Sequence, residues 1–159
     1  MMNVDSLKGR LTLRKAGKED SREYCEWWND PLVRENFFKP NEVSFEVFDN
    51  WFQKALSDDG RYFLLGRVGE EKIGILRFEW TGRYWEGSIV IRKENRGMGL
   101  ASVFIEKGIQ HFISLEPSVK EIFACIKKGN IPSIKAFEKA GFCLSDQNEK
   151  GSVYKYERL

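Results

Sequence analysis

Histidine and cysteine are scarce in this chain, and their scarcity limits the chemistry it can support. His111 is the single histidine among 159 residues, which excludes metal sites built from several histidines. The three cysteines, Cys25, Cys125 and Cys143, are odd in number and far apart, so they make neither a disulfide framework nor a Cys-x-x-Cys chelate. We therefore expect reduced thiols and no bound metal, and we interpret His111 as an ordinary helix residue.

Long apolar runs and an excess of one charge are also missing. No segment approaches the roughly 20 apolar residues of a membrane-spanning helix, and the first residues lack the basic and then apolar pattern of a secretory signal. Lysine and arginine number 26 against 24 acidic residues, a net charge of +2 that gives no reason to expect a nucleic-acid partner. We expect a cytoplasmic protein whose partners include neither a membrane nor a nucleic acid.

Length and composition are typical of one folded domain. Hydrophobic residues make up 42% of the sequence and charged residues 31%, as in soluble globular proteins. No repeat, low-complexity tract or interdomain linker divides the chain. We expect residues 1–159 to form a single domain.

The apolar pattern changes between strand and helix periods along the chain. A strand is predicted at Leu11–Lys15. Two helices follow, one that starts at Asp20 or Ser21 and ends before Pro31, and one with an apolar face from Phe45 to Leu56. The later predicted elements are strands at Tyr62–Val68, Lys72–Trp80 and Tyr84–Ile91, a helix at Leu100–Phe112, a strand at Glu121–Ile126, a helix at Ile131–Ala140 and a hairpin around Asn148–Gly151.

This order of elements combines hairpins with crossover connections. Three successive strands joined by short turns form an antiparallel meander. The later strands alternate with helices, which is typical of crossover connections. We predict an α+β (mixed α/β) fold with a central, twisted, mixed but mostly antiparallel sheet of about seven strands, flanked by four helices.

A glycine-rich turn joins a strand to a helix in the second half of the chain. Gly97 and Gly99 follow Arg96 and can adopt positive φ, so a ligand can approach the main chain closely. The free N–H groups and the dipole of the helix starting at Leu100 favour phosphate oxygens, and we expect a pyrophosphate. No Gly-Lys-Ser/Thr ends the turn, which excludes a nucleoside-triphosphate loop, and the turn follows a meander rather than lying in a first βαβ unit, which excludes a dinucleotide fold.

A second stretch, Asn130 to Phe142, has a simple local interpretation. Asn130 is a good helix N-cap, Pro132 is tolerated in the first turn, and Gly141 ends the helix. These structural roles explain most of its residues.

Together, the two stretches resemble motifs of the GCN5-related N-acetyltransferase (GNAT) superfamily. Arg96-Gly97-Met98-Gly99-Leu100-Ala101 is similar to its Arg/Gln-x-x-Gly-x-Gly/Ala motif, and Asn130 to Phe142 to its Asn-x-x-Ser/Ala-x-x-x-Tyr-x-x-x-Gly-Phe stretch. The resemblance implies a GNAT fold, acetyl-CoA as cosubstrate and acyl-CoA-dependent N-acetyltransferase activity. The cofactor-binding residues that it implies are Ile89, Val90, Ile91, Arg96, Gly97, Met98, Gly99, Leu100, Ala101, Asn130, Ser133 and Phe137.

The chain departs from this pattern where many members have a tyrosine that protonates the departing thiolate. Phe137 occupies that position and cannot donate a proton. Ser133, Tyr154, Tyr156 or water are alternative donors, and a thiol with a pKa of about 8 to 9 can also leave unassisted. The general acid is therefore left unassigned.

Glu86 is the best candidate for the general base, because an ammonium acceptor must lose a proton before it attacks. Strand alternation places Glu86, Ser88 and Val90 on one face, and Ser88 can share a proton relay. The competing interpretation of Glu86 is an exposed strand residue. Cys125 replaces a carboxylate that some members of the superfamily have, and we interpret it as a small core residue.

The acceptor site is expected in the first third of the chain. Trp27 to Arg34 resembles a stretch of GNAT enzymes that acetylate nucleotide-linked amino sugars, which implies an acceptor site of Trp28, Asn29 and Arg34. The alternative for the tryptophans is a role as core aromatics. We expect acetyl transfer to a small-molecule primary amine; peptide N-terminal acetylation and a non-catalytic acyl-CoA-binding module are the alternatives, and a homodimer is compatible with the sequence.

Overall fold

A seven-stranded sheet organises the part of the chain that the structure describes, residues 4–38 and 41–158 of a computed structural model. The strands are β1 (Leu11–Lys15), β2 (Arg61–Val68), β3 (Glu71–Trp80), β4 (Trp85–Ile91), β5 (Glu121–Lys127), β6 (Cys143–Gln147) and β7 (Gly151–Glu157). They lie in the order β1-β2-β3-β4-β5-β7-β6, and every neighbouring pair is antiparallel except β4 and β5. The predicted mixed, mostly antiparallel sheet and its central meander are confirmed.

Six α-helices accompany the sheet within the described residues. They are α1 (Val4–Gly9), α2 (Ser21–Trp28), α3 (Pro31–Glu35), α4 (Phe45–Ala55), α5 (Leu100–Leu115) and α6 (Ile131–Lys139). The four predicted helices correspond to α2, α4, α5 and α6, so the predicted number was too low. α1 and α3 contain 6 and 5 residues, too few turns to show a helical period in the sequence.

Each face of the sheet has its own hydrophobic core. α5 and α6 cover one face, where the ring of Phe78 stacks on Phe112 with centroids 4.3 Å apart. α2 and α4 cover the other face around the almost fully buried side chains of Tyr24 and Phe52. Burial of apolar surface on both faces stabilises the fold. The α2–α4 face is the one that carries the candidate catalytic side chains.

A buried carboxylate fixes the start of α2 to the sheet. Asp20 was a candidate helix cap, but its side chain makes no capping hydrogen bond. It instead accepts two hydrogen bonds of 2.9 Å from Arg14 of β1 and one of 2.8 Å from the N–H of Gly17, and it pairs with Lys72 of β3 at 2.8 Å. Burial by itself would raise the pKa of Asp20, but these donors lower it to about 2.

The structure shows the surroundings of His111 and of the three cysteines. His111 lies on α5 with Nε2 3.1 Å from the hydroxyl of Tyr62, in agreement with its interpretation as a helix residue. The three cysteines are unpaired. Among the described residues, no group of three or more His, Cys, Asp and Glu side chains is arranged to hold a metal ion, and no helix is long and apolar enough to cross a bilayer.

Candidate active site

A cleft opens between β4 and β5, the two parallel strands at the centre of the sheet. Their register covers only Trp85 opposite Ile122 and Glu86 opposite Phe123. Beyond this point β4 continues to Ile91 with β3 as its neighbour, and β5 continues with β7. One edge of the β4 main chain, which includes the predicted cofactor-binding residues Ile89, Val90 and Ile91, therefore lines the opening. Such an edge can bind an extended ligand through its amides and carbonyls.

The glycine turn lies where β4 leads into α5. Gly97 and Gly99 have φ of +76° and +72°, a conformation that glycine adopts without the strain other residues would suffer. Gly99 is the N-cap of α5, and a side chain placed on Gly97 would meet no atom within 4 Å. The N–H groups of the first turn of α5 have no acceptor within the helix. The turn therefore offers an open anion site at the positive end of a helix dipole.

Other residues of the turn differ in their exposure. Leu100 is buried in the core, Met98 and Ala101 are half-buried against it, and Ser102 donates a hydrogen bond from its hydroxyl to the carbonyl of Gly99. Buried Leu100 can contribute to cofactor binding only through its main chain, and the contributions of Met98 and Ala101 stay predictions. Small or inward-facing side chains keep the outer surface of the turn accessible to a ligand.

Arg96 connects the turn to the α2–α3 region. Its Nε donates to the carbonyl of Ile91 at 2.9 Å, and its Nη1 lies 3.5 Å from Oδ1 of Asp30, which also accepts the N–H of Leu32 at the start of α3. Nη2 is buried and meets no hydrogen-bond partner among the described residues. A buried guanidinium donor without an acceptor is costly, and a phosphate oxygen would satisfy it.

The Asn130 stretch forms the start of α6, beside the end of β5. Asn130 caps the helix as its sequence predicts, since its side-chain oxygen accepts the N–H of Ser133 at 3.3 Å. Phe137 is buried, and its ring contacts that of Phe142 edge-on with centroids 5.0 Å apart. Asn130 and Phe137 thus have structural roles, and their contribution to cofactor binding stays a prediction, as does that of half-buried Ser133.

Glu86 lies on the α2–α4 face of β4, directly opposite Glu79 of β3, and Ser88 lies on the same face opposite Arg77. This confirms the predicted alternation. Glu86 is half-buried rather than an exposed strand residue. Burial raises its pKa; Arg77 opposes the rise and Glu79 adds to it. A carboxylate with a raised pKa beside a cleft is well suited to accept a proton.

Cys125 and Tyr84 complete the surroundings of Glu86. The thiol of Cys125 lies beside the Glu86 carboxylate and the Tyr84 hydroxyl, and burial together with the charge of Glu86 raises its pKa to about 11. The thiol is therefore protonated at neutral pH, which agrees with a non-nucleophilic role. Tyr84 was not predicted as a site residue, because it lies in the turn before β4 and reaches Cys125 only through the parallel pairing of β4 with β5.

The alternative tyrosine donors lie on the face of the sheet opposite Glu86. Tyr154 and Tyr156 pair with Ala124 and Ile122 and therefore share the α5–α6 face with them. Cys125 alternates with Ala124 and so points to the opposite face, towards Glu86. Tyr84, whose hydroxyl lies beside the Cys125 thiol, is instead on the side of Glu86.

The residues predicted for acceptor binding are found at the end of α2 and on α3. Trp28 is half-buried and contacts Trp51 with ring centroids 6.0 Å apart. The guanidinium of Arg77 lies over both rings, 5.8 Å from Trp28 and 6.0 Å from Trp51. Trp28 is therefore both a core aromatic and part of the face that carries Glu86.

Asn29 and Arg34 hold the chain that follows α2. The amide nitrogen of Asn29 donates to the carbonyl of Val43 at 2.6 Å, and its oxygen accepts the N–H of Val43 at 2.9 Å. Nε of Arg34 donates to the carbonyl of Asn29 at 2.9 Å. These contacts position the segments around the acceptor face, and a direct contact of either residue with the acceptor stays a prediction.

The fold and the cleft agree with comparisons to known proteins. A family model described as an acetyltransferase (GNAT) domain matches residues 10–143. The chain belongs to the GNAT acetyltransferase family. The N-acetyltransferase p20 of Bacillus licheniformis is 30% identical over an alignment of 168 positions, which covers 94% of this chain and 93% of that protein. The spermidine N(1)-acetyltransferase of Vibrio cholerae is 21% identical, over 86% of this chain and 80% of its own length.

Solved GNAT structures share the architecture at low sequence identity. The aminoglycoside acetyltransferase AAC(6′)-Ib, solved with coenzyme A, has a TM-score of 0.80 at 16% identity, covering 93% of this chain and 95% of its own. The spermidine N-acetyltransferase of Vibrio cholerae, solved with CoA and spermine, has a TM-score of 0.79 at 19% identity, covering 92% of this chain and 94% of its own. The predicted GNAT fold and acyl-CoA-dependent N-acetyltransferase activity are confirmed.

Proposed function

We propose that this GNAT protein transfers the acetyl group of acetyl-CoA to a primary amine of a small polar molecule. The observation that carries the proposal is the opening between β4 and β5, with the glycine turn at its far end and Glu86 where the strands still pair. This arrangement suits a long ligand with phosphates at one end and a reactive thioester at the other. The relatives solved with acetyl-CoA or CoA support the same cosubstrate.

In the proposed binding mode, the pyrophosphate of acetyl-CoA accepts hydrogen bonds from the amides of residues 97–101 and from Nη2 of Arg96. The pantetheine arm runs along the free edge of Ile89 to Ile91. A main-chain N–H of that edge donates to the thioester carbonyl oxygen, so that the negative charge developing there meets a fixed donor. The acetyl carbon then lies towards the face that carries Glu86.

The proposed reaction is direct attack of the neutral amine in a ternary complex. Glu86, directly or through one water, takes the proton from the amine; the nitrogen forms a bond to the acetyl carbon, and the carbon–sulfur bond breaks. The leaving group is the CoA thiolate, whose conjugate thiol has a pKa of about 8 to 9, so it can depart without an acid and take a proton from water. Ser88 is placed beside Glu86 to share a relay.

The face that carries Glu86 favours a polar acceptor molecule. Trp28 and Trp51 offer aromatic surface for a ring, and the Arg77 guanidinium over them can bind a phosphate or carboxylate. These features suit the predicted nucleotide-linked amino sugar, with Arg77 in addition to Arg34 as its cation. The opposed pair Glu79 and Glu86 also suits a polyamine, and relatives are named for aminoglycosides and spermidine.

An acceptor screen tests the proposal. Purified protein is given acetyl-CoA with UDP-linked amino sugars, aminoglycosides, spermidine or peptides with free N-termini, and released CoA thiol is measured. We expect turnover with at least one small amine. Turnover with peptides alone would favour N-terminal acetylation, whereas stabilisation by CoA without turnover on any amine would indicate a non-catalytic binding module.

A further inference from the structure

Lys8 of α1 lies at the glycine turn, although the two are far apart in the sequence. A side-chain carbon placed on Gly99 would lie 3.3 Å from Cε and 3.4 Å from Nζ of Lys8. Gly99 is the N-cap of α5, so the ammonium group is next to the first-turn amides that form the anion site. No sequence motif includes Lys8, because it is brought to the turn only by the packing of α1.

The position of α1 is held by contacts with α5. Nζ of Lys107 donates to the carbonyl of Leu11 at 2.7 Å and lies 3.4 Å from the carbonyl of Lys8. Leu7 packs against the core beneath α5. Lys8 is therefore attached to the same helix whose N-terminus forms the turn, and the main chain that carries it is fixed relative to that turn.

The location is unfavourable for a cation unless an anion joins it. The N-terminus of α5 carries the positive end of the helix dipole, which repels an ammonium group. Arg92 and Arg96, which precede the turn, pair with Glu71 and Asp30, but Lys8 forms no ion pair with any described carboxylate. Proteins typically break the rules of favourable charge placement at functional sites.

We propose that the ammonium group of Lys8 binds a phosphate of acetyl-CoA, so that α1 is part of the cosubstrate site. This inference rests on the proposed binding of acetyl-CoA at the glycine turn. Lys8 then contacts one phosphate group of the cosubstrate close to the first-turn amides of α5. The negative charge of that phosphate removes the repulsion between the ammonium group and the helix N-terminus.

Calorimetric titration of CoA into wild-type protein and the Lys8→Ala variant tests the proposal. We expect Lys8→Ala to weaken CoA binding by about tenfold, the loss typical of a hydrogen bond between charged groups. Lys8→Arg should retain most of the affinity, because it keeps the charge. Lys54→Ala removes the same charge from the exposed end of α4 on the other face of the sheet and should leave the affinity unchanged.

Two further ligands identify which phosphate of the coenzyme Lys8 contacts. Dephospho-CoA lacks the 3′-phosphate and pantetheine lacks every phosphate. If Lys8→Ala weakens the binding of dephospho-CoA as much as that of CoA, Lys8 contacts the pyrophosphate. If it weakens only the binding of CoA, Lys8 contacts the 3′-phosphate. Both results support the proposal. Wild type and Lys8→Ala should bind pantetheine equally, and the same loss with pantetheine would refute a phosphate contact.

Thermal unfolding without ligand separates binding from a structural role. If Lys8 serves the ligand, Lys8→Ala should have a melting temperature equal to or slightly above that of wild type, because a repelled charge is removed. A lower melting temperature together with unchanged CoA affinity would overturn the proposal. Wild-type protein that fails to bind CoA would instead refute the proposed function, and this inference with it.

Discussion

Glu86 shows how one side chain acquires a chemical role from its surroundings. An isolated strand glutamate is ionised well below neutral pH, but burial and the nearby charge of Glu79 raise the pKa of Glu86 while Arg77 opposes the rise. A base accepts protons only in its ionised form. Activity that depends on Glu86 should therefore fall as pH decreases through this raised pKa, at a higher pH than an ordinary carboxyl group would give.

The first prediction concerns Glu86→Gln, which keeps the shape of the side chain and removes its basicity. We expect kcat/KM near neutral pH to fall by about 100-fold or more, the usual contribution of a general base. The deficit should shrink at high pH, where the acceptor amine loses its proton to water. Thiol release measured from about pH 5 to about pH 9 gives both profiles. Parallel profiles for wild type and variant would exclude Glu86 as the base.

Glu79→Gln is the matched control, because Glu79 lies directly opposite on β3 and the change removes the same charge. Its loss removes a charge that raises the pKa of Glu86, so the acidic limb of the pH profile should move to lower pH while the maximal rate is retained. Glu86→Gln therefore removes the titrating group, whereas Glu79→Gln only lowers the pKa of that group.

At the scale of elements, the glycine turn and α5 form one functional unit. Positive φ at Gly97 and Gly99 exposes the first-turn amides, and the helix adds its dipole. The sequence predicts this unit in full, because a strand, closely spaced glycines and an amphipathic helix are all local signals. The contributions of Lys8 and Asp30 to its surroundings are not local and were not predicted.

The second prediction is that Gly99→Glu abolishes CoA binding. The new side chain would occupy the space next to Lys8 and place a negative charge at the proposed phosphate position. We expect the affinity for CoA, measured by calorimetry, to fall by about 100-fold or more, equivalent to at least about 2.7 kcal/mol. Unchanged affinity would contradict the pyrophosphate assignment.

Gly82→Glu controls for backbone strain and added charge. Gly82 also has positive φ, +97°, and a side chain there would meet no atom within 4 Å. Both variants carry the strain of a non-glycine residue at positive φ, about 1 kcal/mol or more. The Gly82 variant should lose stability and keep its affinity for CoA, because it lies in the turn between β3 and β4, away from the glycine turn.

α3 illustrates how a short element can connect two walls of a site. Arg96, in the turn that follows β4, pairs with Asp30 at the start of α3, and Nζ of Lys127, at the end of β5, donates to the carbonyl of Glu35 at 2.9 Å. The helix is thus attached to the turn after β4 and to the end of β5, on the two sides of the cleft. A helix of 5 residues is not stable alone, so these contacts and the Asp30 cap are what hold it.

At the scale of the whole molecule, Asp20 ties three elements together. Its carboxylate joins Arg14 of β1, the start of α2 and Lys72 of β3. The carboxylate is fully buried, whereas the two cations are partly exposed. Because its pKa is lowered from 3.8 to about 2 in the folded protein, ionised Asp20 stabilises the fold above about pH 4, and this stabilisation is lost as pH falls from about 4 to about 2.

The third prediction follows from this lowered pKa. Asp20→Ala should reduce the free energy of unfolding at neutral pH by about 2 to 3 kcal/mol, measured by urea denaturation. Glu19→Ala is the control, since the Glu19 carboxylate is exposed and lies 3.8 Å from Arg14, a weak ion pair. This change should lower the free energy of unfolding by less than about 0.5 kcal/mol. The difference between wild type and Asp20→Ala should narrow near pH 2. If Asp20→Ala lowered the free energy of unfolding equally at neutral pH and near pH 2, lost packing and not lost ionisation would explain the effect.

The sequence predicted most of the fold because its main signals are local. The strands of the meander, α4, α5 and α6 all have clear periodicity, and Asn130 caps its helix as expected from residue type. Strand alternation predicted the face of Glu86, while its role as the base stays a prediction. The short helices α1 and α3, and the true partners of Asp20, were not predictable because each depends on tertiary contacts.

By itself the sequence determined the order of the strands and the longer helices, the GNAT motifs and the face of β4 on which Glu86 and Ser88 lie, since periodicity and turn chemistry act over a few residues. Only the tertiary structure decided which distant groups meet. It placed Lys8 at Gly99, Arg77 over Trp28 and Trp51, and Cys125 beside Glu86. The physical reason is that burial and charge, which set pKa values and ligand contacts, depend on neighbours that the linear spacing of residues does not contain.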